Sequence, residues 1–213
     1  MKSYISKEWF EPDIHYVIRD DGTLTDGKRI FPLSAFNPIP ERYRHQTPGQ
    51  LLVLFAGVLL ISIALLLRLP PVFALTGGIL LVLLLLGMLF RNRCTCRFQA
   101  FSGGAPLLIR LGAENFREGE HFIVSLQKIM AKEFQVPKTV YRNRDSFLAE
   151  LETMRTDYLL SEVEIQILAA QYDTLPFTAP HTFVILDVLR MEGILSEEEF
   201  QEIKFERIFH PKP

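Results

Sequence analysis

The chain has 213 residues, a formal net charge of −2 at pH 7, and is 48% hydrophobic and 23% charged. That length makes one or two domains, and the near-neutral charge excludes a broad nucleic-acid surface, which needs a dense basic stripe. The only cysteines, Cys94 and Cys96, are spaced unlike a secreted disulfide framework and read as reduced thiols.

The first residues run straight into polar and aromatic sequence, so no cleavable signal peptide is expected. Residues 14–19 (IHYVIR) read as a short strand, and Asp20-Asp21-Gly22 and Asp26-Gly27 as turns. Arg29-Ile30-Phe31-Pro32-Leu33 reads as another strand, whose proline favours an edge. Asn37-Pro38-Ile39-Pro40 is a rigid, extended lead.

Residues 51–67 (LLVLFAGVLLISIALLL) and 72–90 (VFALTGGILLVLLLLGMLF) follow, and across 51–90 Arg68 is the one charge. Each run approaches the length of about 20 apolar residues that a bilayer-crossing helix needs. Arg68-Leu69-Pro70-Pro71 breaks the helix between them, because proline cannot continue it. The expectation is a two-helix transmembrane hairpin. Arg42 and Arg44 before it, and Arg91, Arg93 and Arg97 after it, place both termini in the cytoplasm by the positive-inside rule. Ala74 and Gly78, with Gly77 beside them, form a small-residue pair suited to close packing against Gly57 and Ala64 of the first span. The absence of a mid-span ionisable group counts against a pump or ion pathway.

Beyond the hairpin, residues 94–101 (CTCRFQAF) and 106–111 (PLLIRL) are strand-like, joined by Ser102-Gly103-Gly104-Ala105. The Gly-Gly pair suits the positive backbone angles of a tight turn. Residues 118–134 place Phe122, Ile123, Leu126, Ile129, Met130 and Phe134 on one face of an amphipathic helix. An isolated hairpin is marginal in water, so the strands on both sides of 51–90 are expected to share one small sheet, closed by this helix. On the DDGTLTDGKRIFPLSAF run, the CRFQAF-SGGA-PLLIRL hairpin and the helix ending in Phe134-Gln135-Val136-Pro137, the chain resembles bacterial pleckstrin-homology-like (PH-like) domains of membrane proteins. It departs from them in the hairpin set between the two halves.

The last third repeats. Residues 151–168 (LETMRTDYLLSEVEIQIL) align without gaps on 186–203 (LDVLRMEGILSEEEFQEI). Each copy is a helix, a sharp turn and a second helix opening on Leu-Ser-Glu-x-Glu. Ser161 with Glu164, and Ser196 with Glu199, have the spacing of a capping box, and Gly193 suits the left-handed position that ends a helix. The second copy is similar to the short C-terminal helical domain known as SHOCT on Gly193, Ile194, Ser196, Glu198, Glu199, Phe200 and Lys204. The first copy carries Tyr158 in place of the glycine. The resemblance implies interaction or oligomerisation and no catalytic role. Two helical pairs bury each other's apolar faces, so a four-helix unit over 145–209 is expected.

Few residues of the chain are spaced for chemistry. His15, His45, His121, His181 and His210 are scattered, without the i,i+4 pair of a helix-borne zinc site. Cys94 and Cys96 supply two soft ligands where a structural zinc site wants four. Ser102-Gly103-Gly104 lacks the lysine and helix start of a phosphate loop, and no Gly-x-Ser-x-Gly elbow occurs. Asp20-Asp21 and Glu197-Glu198-Glu199 are turn and cap residues. No catalytic residue, cofactor or metal is expected.

The expected fold class is therefore membrane α+β. Residues 1–50 and 91–137 form a small PH-like β-sheet domain with a closing helix, 51–90 an inserted two-helix hairpin, and 145–209 an all-α unit. The expected location is a bacterial inner membrane. The expected function is a cytosolic-facing scaffold or adaptor, not an enzyme, that recruits a protein partner or forms a homo-oligomer through Leu160, Ile165, Ile194, Leu195 and Phe200. The alternatives are a subunit of a channel or transport complex, or binding of membrane lipids. In the latter, Arg42, Arg44, Arg91, Arg93 and Arg97 form a headgroup pocket, since each basic group near an anionic leaflet is worth about 1 kcal/mol.

Overall fold

The computed structural model describes residues 2–8, 11–44, 94–112, 114–138, 141, 143–157, 159–173 and 177–211, with 55, 58, 59, 61, 62 and 78 between them. Strands β1 (Lys2–Glu8), β2 (Glu11–Ile18), β3 (Thr23–Thr25) and β4 (Ile30–Pro32) form an antiparallel sheet in sequence order. A single 3-10 turn, Leu33–Ala35, leads out of it. Strands β5 (Glu41–Arg44), β6 (Cys94–Phe98) and β7 (Leu107–Leu111) form a second antiparallel sheet. Five α-helices follow among the described residues: α1 (Phe116–Glu133), α2 (Arg144–Thr156), α3 (Glu162–Gln171), α4 (His181–Met191) and α5 (Glu197–Phe209).

The turns of the first sheet are set by local chemistry. Asp21 Oδ1 accepts from the Thr23 amide at 3.1 Å and hydroxyl at 2.6 Å, and Gly22 takes φ +72°. Asp26 Oδ1 accepts from the Lys28 and Arg29 amides at 2.9 and 2.7 Å, with Gly27 at φ +85°. Such aspartates fold their own backbone back on itself, and glycine removes the steric cost of the positive φ. The connection between β6 and β7 is longer than a two-residue turn. Ala100 is drawn into an antiparallel bridge with Phe36, and the Asn37 amide donates to Gln99 O at 2.8 Å.

Strand alternation puts one face of each sheet inward. Tyr4, Tyr16, Ile18 and Leu24 of the first sheet, and Cys96, Phe98, Leu107, Ile109 and Leu111 of the second, are buried with Phe122, Ile123, Leu126 and Met130 of α1. Tyr4 stacks on Phe122 at 5.5 Å between ring centroids. Its hydroxyl accepts from the Gly112 amide at 2.9 Å and donates to Asn115 Oδ1 at 3.2 Å, while Asn115 Nδ2 donates to Ile5 O at 2.6 Å. This polar seam ties β1 to the end of β7 and the start of α1. It demands glycine at two places. A Cβ on Gly112 would lie 2.4 Å from Lys7 O, and one on Gly119 2.7 Å from Leu111 Cδ2 and 2.8 Å from the Tyr4 hydroxyl.

Helices α2 to α5 close on a second core. Phe147, Leu151, Phe183, Leu186, Leu189, Leu195, Phe200, Ile203 and Ile208 are buried there together with Ala131, Phe134 and Val136, which follow from the end of α1. The sequence repeat is a structural one. In the first turn the Leu159 and Leu160 amides donate to Met154 O at 3.0 and 3.4 Å. In the second, the equivalent Ile194 and Leu195 amides donate to Leu189 O at 2.9 and 3.1 Å. Gly193 has φ +72°. Both capping boxes form, Ser161 with Glu164 and Ser196 with Glu199. A third box, Asn143 with Ser146, opens α2.

Two expectations are corrected. The strands do not build one small sheet. They divide into a four-stranded and a three-stranded sheet, because the bridge at Phe36 leads the chain across into β5, which pairs with β6. Nor is the fold class of a membrane α+β protein supported: among the described residues no helix is long and apolar enough to cross a membrane. The longest described helix, α1, spends its apolar stripe on two protein cores and carries Arg117, Glu118, Glu120, Lys128 and Lys132 on its remaining surface. With that finding the integral-membrane reading, the bacterial inner-membrane location and the cytoplasmic placement of both termini are withdrawn. The two spans expected at 51–67 and 72–90 lie almost wholly outside the described residues.

Candidate functional site

Of the arginines expected to form one basic cluster, Arg42 and Arg97 do not share a face of the second sheet. Arg42 pairs with Cys96, and Arg97 pairs with Glu41. Neighbours along a strand point to opposite sides, so Arg42 lies on the side of buried Cys96 while Arg97 lies on the side of exposed Leu108. Arg42 is also matched: its Nη1 lies 3.2 Å from Glu120 Oε1 of α1, with both side chains partly exposed. A pair of this exposure contributes about 0.2–1 kcal/mol. Arg44 pairs with Cys94 in the register, and Arg91 and Arg93 lie outside the described residues. So do Gly57, Ala74 and Gly77. At Gly78 an added Cβ would meet none of the described residues within 4 Å.

Cys96 is fully buried under the Arg42–Glu120 pair, and burial, with Cys94 as a lesser influence, pushes its thiol up to about 12. A thiol held neutral in this way is a packing group, since the thiolate is the reactive and metal-binding form. Among the described residues no group of three or more His, Cys, Asp or Glu could hold a metal ion.

The C-terminal helices present a different picture. Leu160, Leu195 and Phe200, expected to meet a partner, are buried in the chain's own core, and Ile165 and Ile194 pack partly buried against it. They are the hydrophobic half of the helix-turn-helix repeat and are consumed in closing it. Among the described residues of these helices, the large apolar side chains left outside are Leu148, Val163, Met191, Phe205 and Phe209, at 36%, 63%, 71%, 55% and 42% exposure. Phe205 and Phe209 sit one helical turn apart on α5 with ring centroids 4.6 Å apart. Their i,i+4 spacing was legible in the sequence, but Phe200, Ile203 and Ile208 on the same helix are equally apolar, and only packing decides which of them face solvent.

Three cations lock this unit in place, of which Lys128 and Arg207 were not singled out in the sequence and Lys204 was noted only as part of the SHOCT-like pattern. Lys128 Nζ of α1 donates to both carboxylate oxygens of Glu199 at 2.8 Å. Lys204 Nζ lies 3.0 Å from Glu164 Oε2, with both side chains largely buried. Each lysine therefore holds the glutamate of one capping box. Burial alone would raise the Glu164 pKa, but hydrogen bonds from the Ser161 amide and Lys204 outweigh it and hold the carboxyl below its usual value. The Lys128 hydrogen bond, followed by that of the Ser196 amide, does the same for Glu199. Arg207 is 7% exposed, and its Nη2 donates to Lys132 O at 2.9 Å and Ala131 O at 3.5 Å while the guanidinium covers the Phe134 ring. It thereby satisfies carbonyls that α1 leaves unpaired at its C-terminus, where a cation also suits the helix dipole.

No protein-family model matches the chain, and no curated protein or solved structure matches it either.

Proposed function

We propose that this chain is a non-catalytic interaction module, in which the C-terminal helical unit recruits a protein partner or a second copy of the chain. The observation that carries the reading is the exposed aromatic pair Phe205 and Phe209 on α5, a helix whose other apolar residues are buried. Full burial of an aromatic is worth about 1.5–3 kcal/mol, of which these half-exposed rings forgo a part, and exposed apolar groups gathered together mark interaction surfaces. The unit is rigid because its turns are capped and its cap glutamates are held by lysines. The likeness of the second repeat to SHOCT domains points the same way.

Affinity capture with the full chain and with a Phe205→Ser/Phe209→Ser variant tests this. A stoichiometric partner, or a second copy, is expected on the unsubstituted chain and absent from the variant, whose circular dichroism stays unchanged because both positions face solvent. Equal capture by the two, or none by either, overturns the reading.

A further inference from the structure

The outer stripe of α5 is built from two chemistries. Along the helix, positions 198, 202, 205 and 209 fall on one face, and Glu198, Glu202, Phe205 and Phe209 are all exposed. The first half of the stripe is acidic and the second half aromatic. Carboxylates near the stripe that turn toward the chain are matched to cations: Glu197 to Arg190 at 2.9 Å and Glu199 to Lys128 at 2.8 Å. Glu198 and Glu202 make no hydrogen bond or ion pair among the described residues. Over 143–211 acidic residues outnumber basic ones.

We propose that this stripe docks an amphipathic segment of a partner protein that carries Lys or Arg residues along one half and apolar anchors along the other. The anchors cover Phe205 and Phe209 while the cations face Glu198 and Glu202, the arrangement by which an apolar centre supplies affinity and flanking charge supplies selection. A second copy fits the stripe less well. Two α5 helices laid parallel bring Glu198 and Glu202 against their own counterparts, and laid antiparallel along their length they press carboxylates onto aromatic rings. Either arrangement buries unpaired charge, which costs binding. This inference rests on the reading of the helical unit as an interaction module and narrows it to one partner chemistry.

The probe is a fluorescent helical peptide with lysines on one half and leucines with a tryptophan on the other, compared with the same peptide bearing glutamate for lysine. Fluorescence anisotropy with the full chain is expected to show saturable binding of the lysine peptide that weakens with salt, and none of the glutamate peptide. Phe205→Ser/Phe209→Ser should weaken binding at least about tenfold. Glu198→Gln/Glu202→Gln should weaken it about fivefold and flatten the salt dependence. Equal binding of both peptides, no binding of either, or affinity unchanged in both variants overturns the proposal. So does a concentration-dependent dimer in sedimentation that Phe205→Ser/Phe209→Ser abolishes. If those aromatic substitutions abolish partner capture while peptide binding proves blind to charge, the interaction reading stands and this narrower one falls.

Discussion

Cys96 and Arg97 are adjacent, yet one is sealed in the core and the other lies on the outer side of the sheet, and that parity governs their chemistry. The Cys96 thiol, pushed up to about 12 by burial, stays protonated through the neutral range. We expect a maleimide at pH 8 to leave Cys96 unlabelled in the folded chain and to label it once denaturant exposes it, as read by intact and peptide mass. Labelling of Cys96 at the same rate in both conditions would contradict its burial. The same alternation explains why Arg42 and Arg97 lie on opposite faces. Sequence proximity counts residues, whereas a sheet separates odd from even positions onto opposite faces.

At the level of single elements, the starts of α3 and α5 were legible and the partners of their cap glutamates were not. A serine and a glutamate at the right spacing identify a capping box whatever lies around them, because the hydrogen bonds are local. The lysines that hold those glutamates come from elsewhere in the chain, Lys128 from α1 and Lys204 from α5. Both Glu164 and Glu199 are held below the usual carboxylate range in the folded chain. A carboxylate of this kind adds stability that is fully present above its unfolded pKa of about 4.3 and is lost as pH falls through the lower folded value. Urea unfolding followed by circular dichroism should therefore show the helical unit less stable at pH 3 than at pH 7. Ser161→Ala and Ser196→Ala should each cost about 1 kcal/mol at pH 7. A midpoint unchanged between the two pH values would contradict the pairing. Strand β1 was missed for a related reason: Lys2–Glu8 is mostly polar, and its place is secured by pairing with β2 and by the Tyr4 seam rather than by a hydrophobic pattern of its own.

Across the whole molecule, α1 is the member shared by both cores. Phe122, Ile123, Leu126 and Met130 serve the sheets, while Ala131, with Phe134 just beyond the helix, serves the helical unit. Arg207 joins the two parts, reaching from α5 to the last carbonyls of α1. Burial lowers its pKa, opposed by Glu133 and Glu206, yet an arginine stays charged. Arg207→Met keeps the apolar stem and removes the hydrogen bonds, leaving buried carbonyls unpaired at a cost of about 1–3 kcal/mol for each such group. A fall in Tm of about 2–4 °C for each kcal/mol lost, with faster hydrogen exchange at the end of α1, is expected. An unchanged Tm would show that packing alone joins the two parts.

The repeat over 151–203, its capping boxes, the aspartate–glycine turns and the amphipathic helix α1 follow from the sequence by itself, because each depends on contacts within a few residues. Tertiary structure alone decided that the strands split into two sheets, that Arg42 and Arg97 part company, and that Leu160, Leu195 and Phe200 are core while Phe205 and Phe209 face water. Those outcomes depend on which distant surfaces meet. Hydrophobicity tells a residue to leave water, but the shape of the remaining chain determines whether there is a place for it to go.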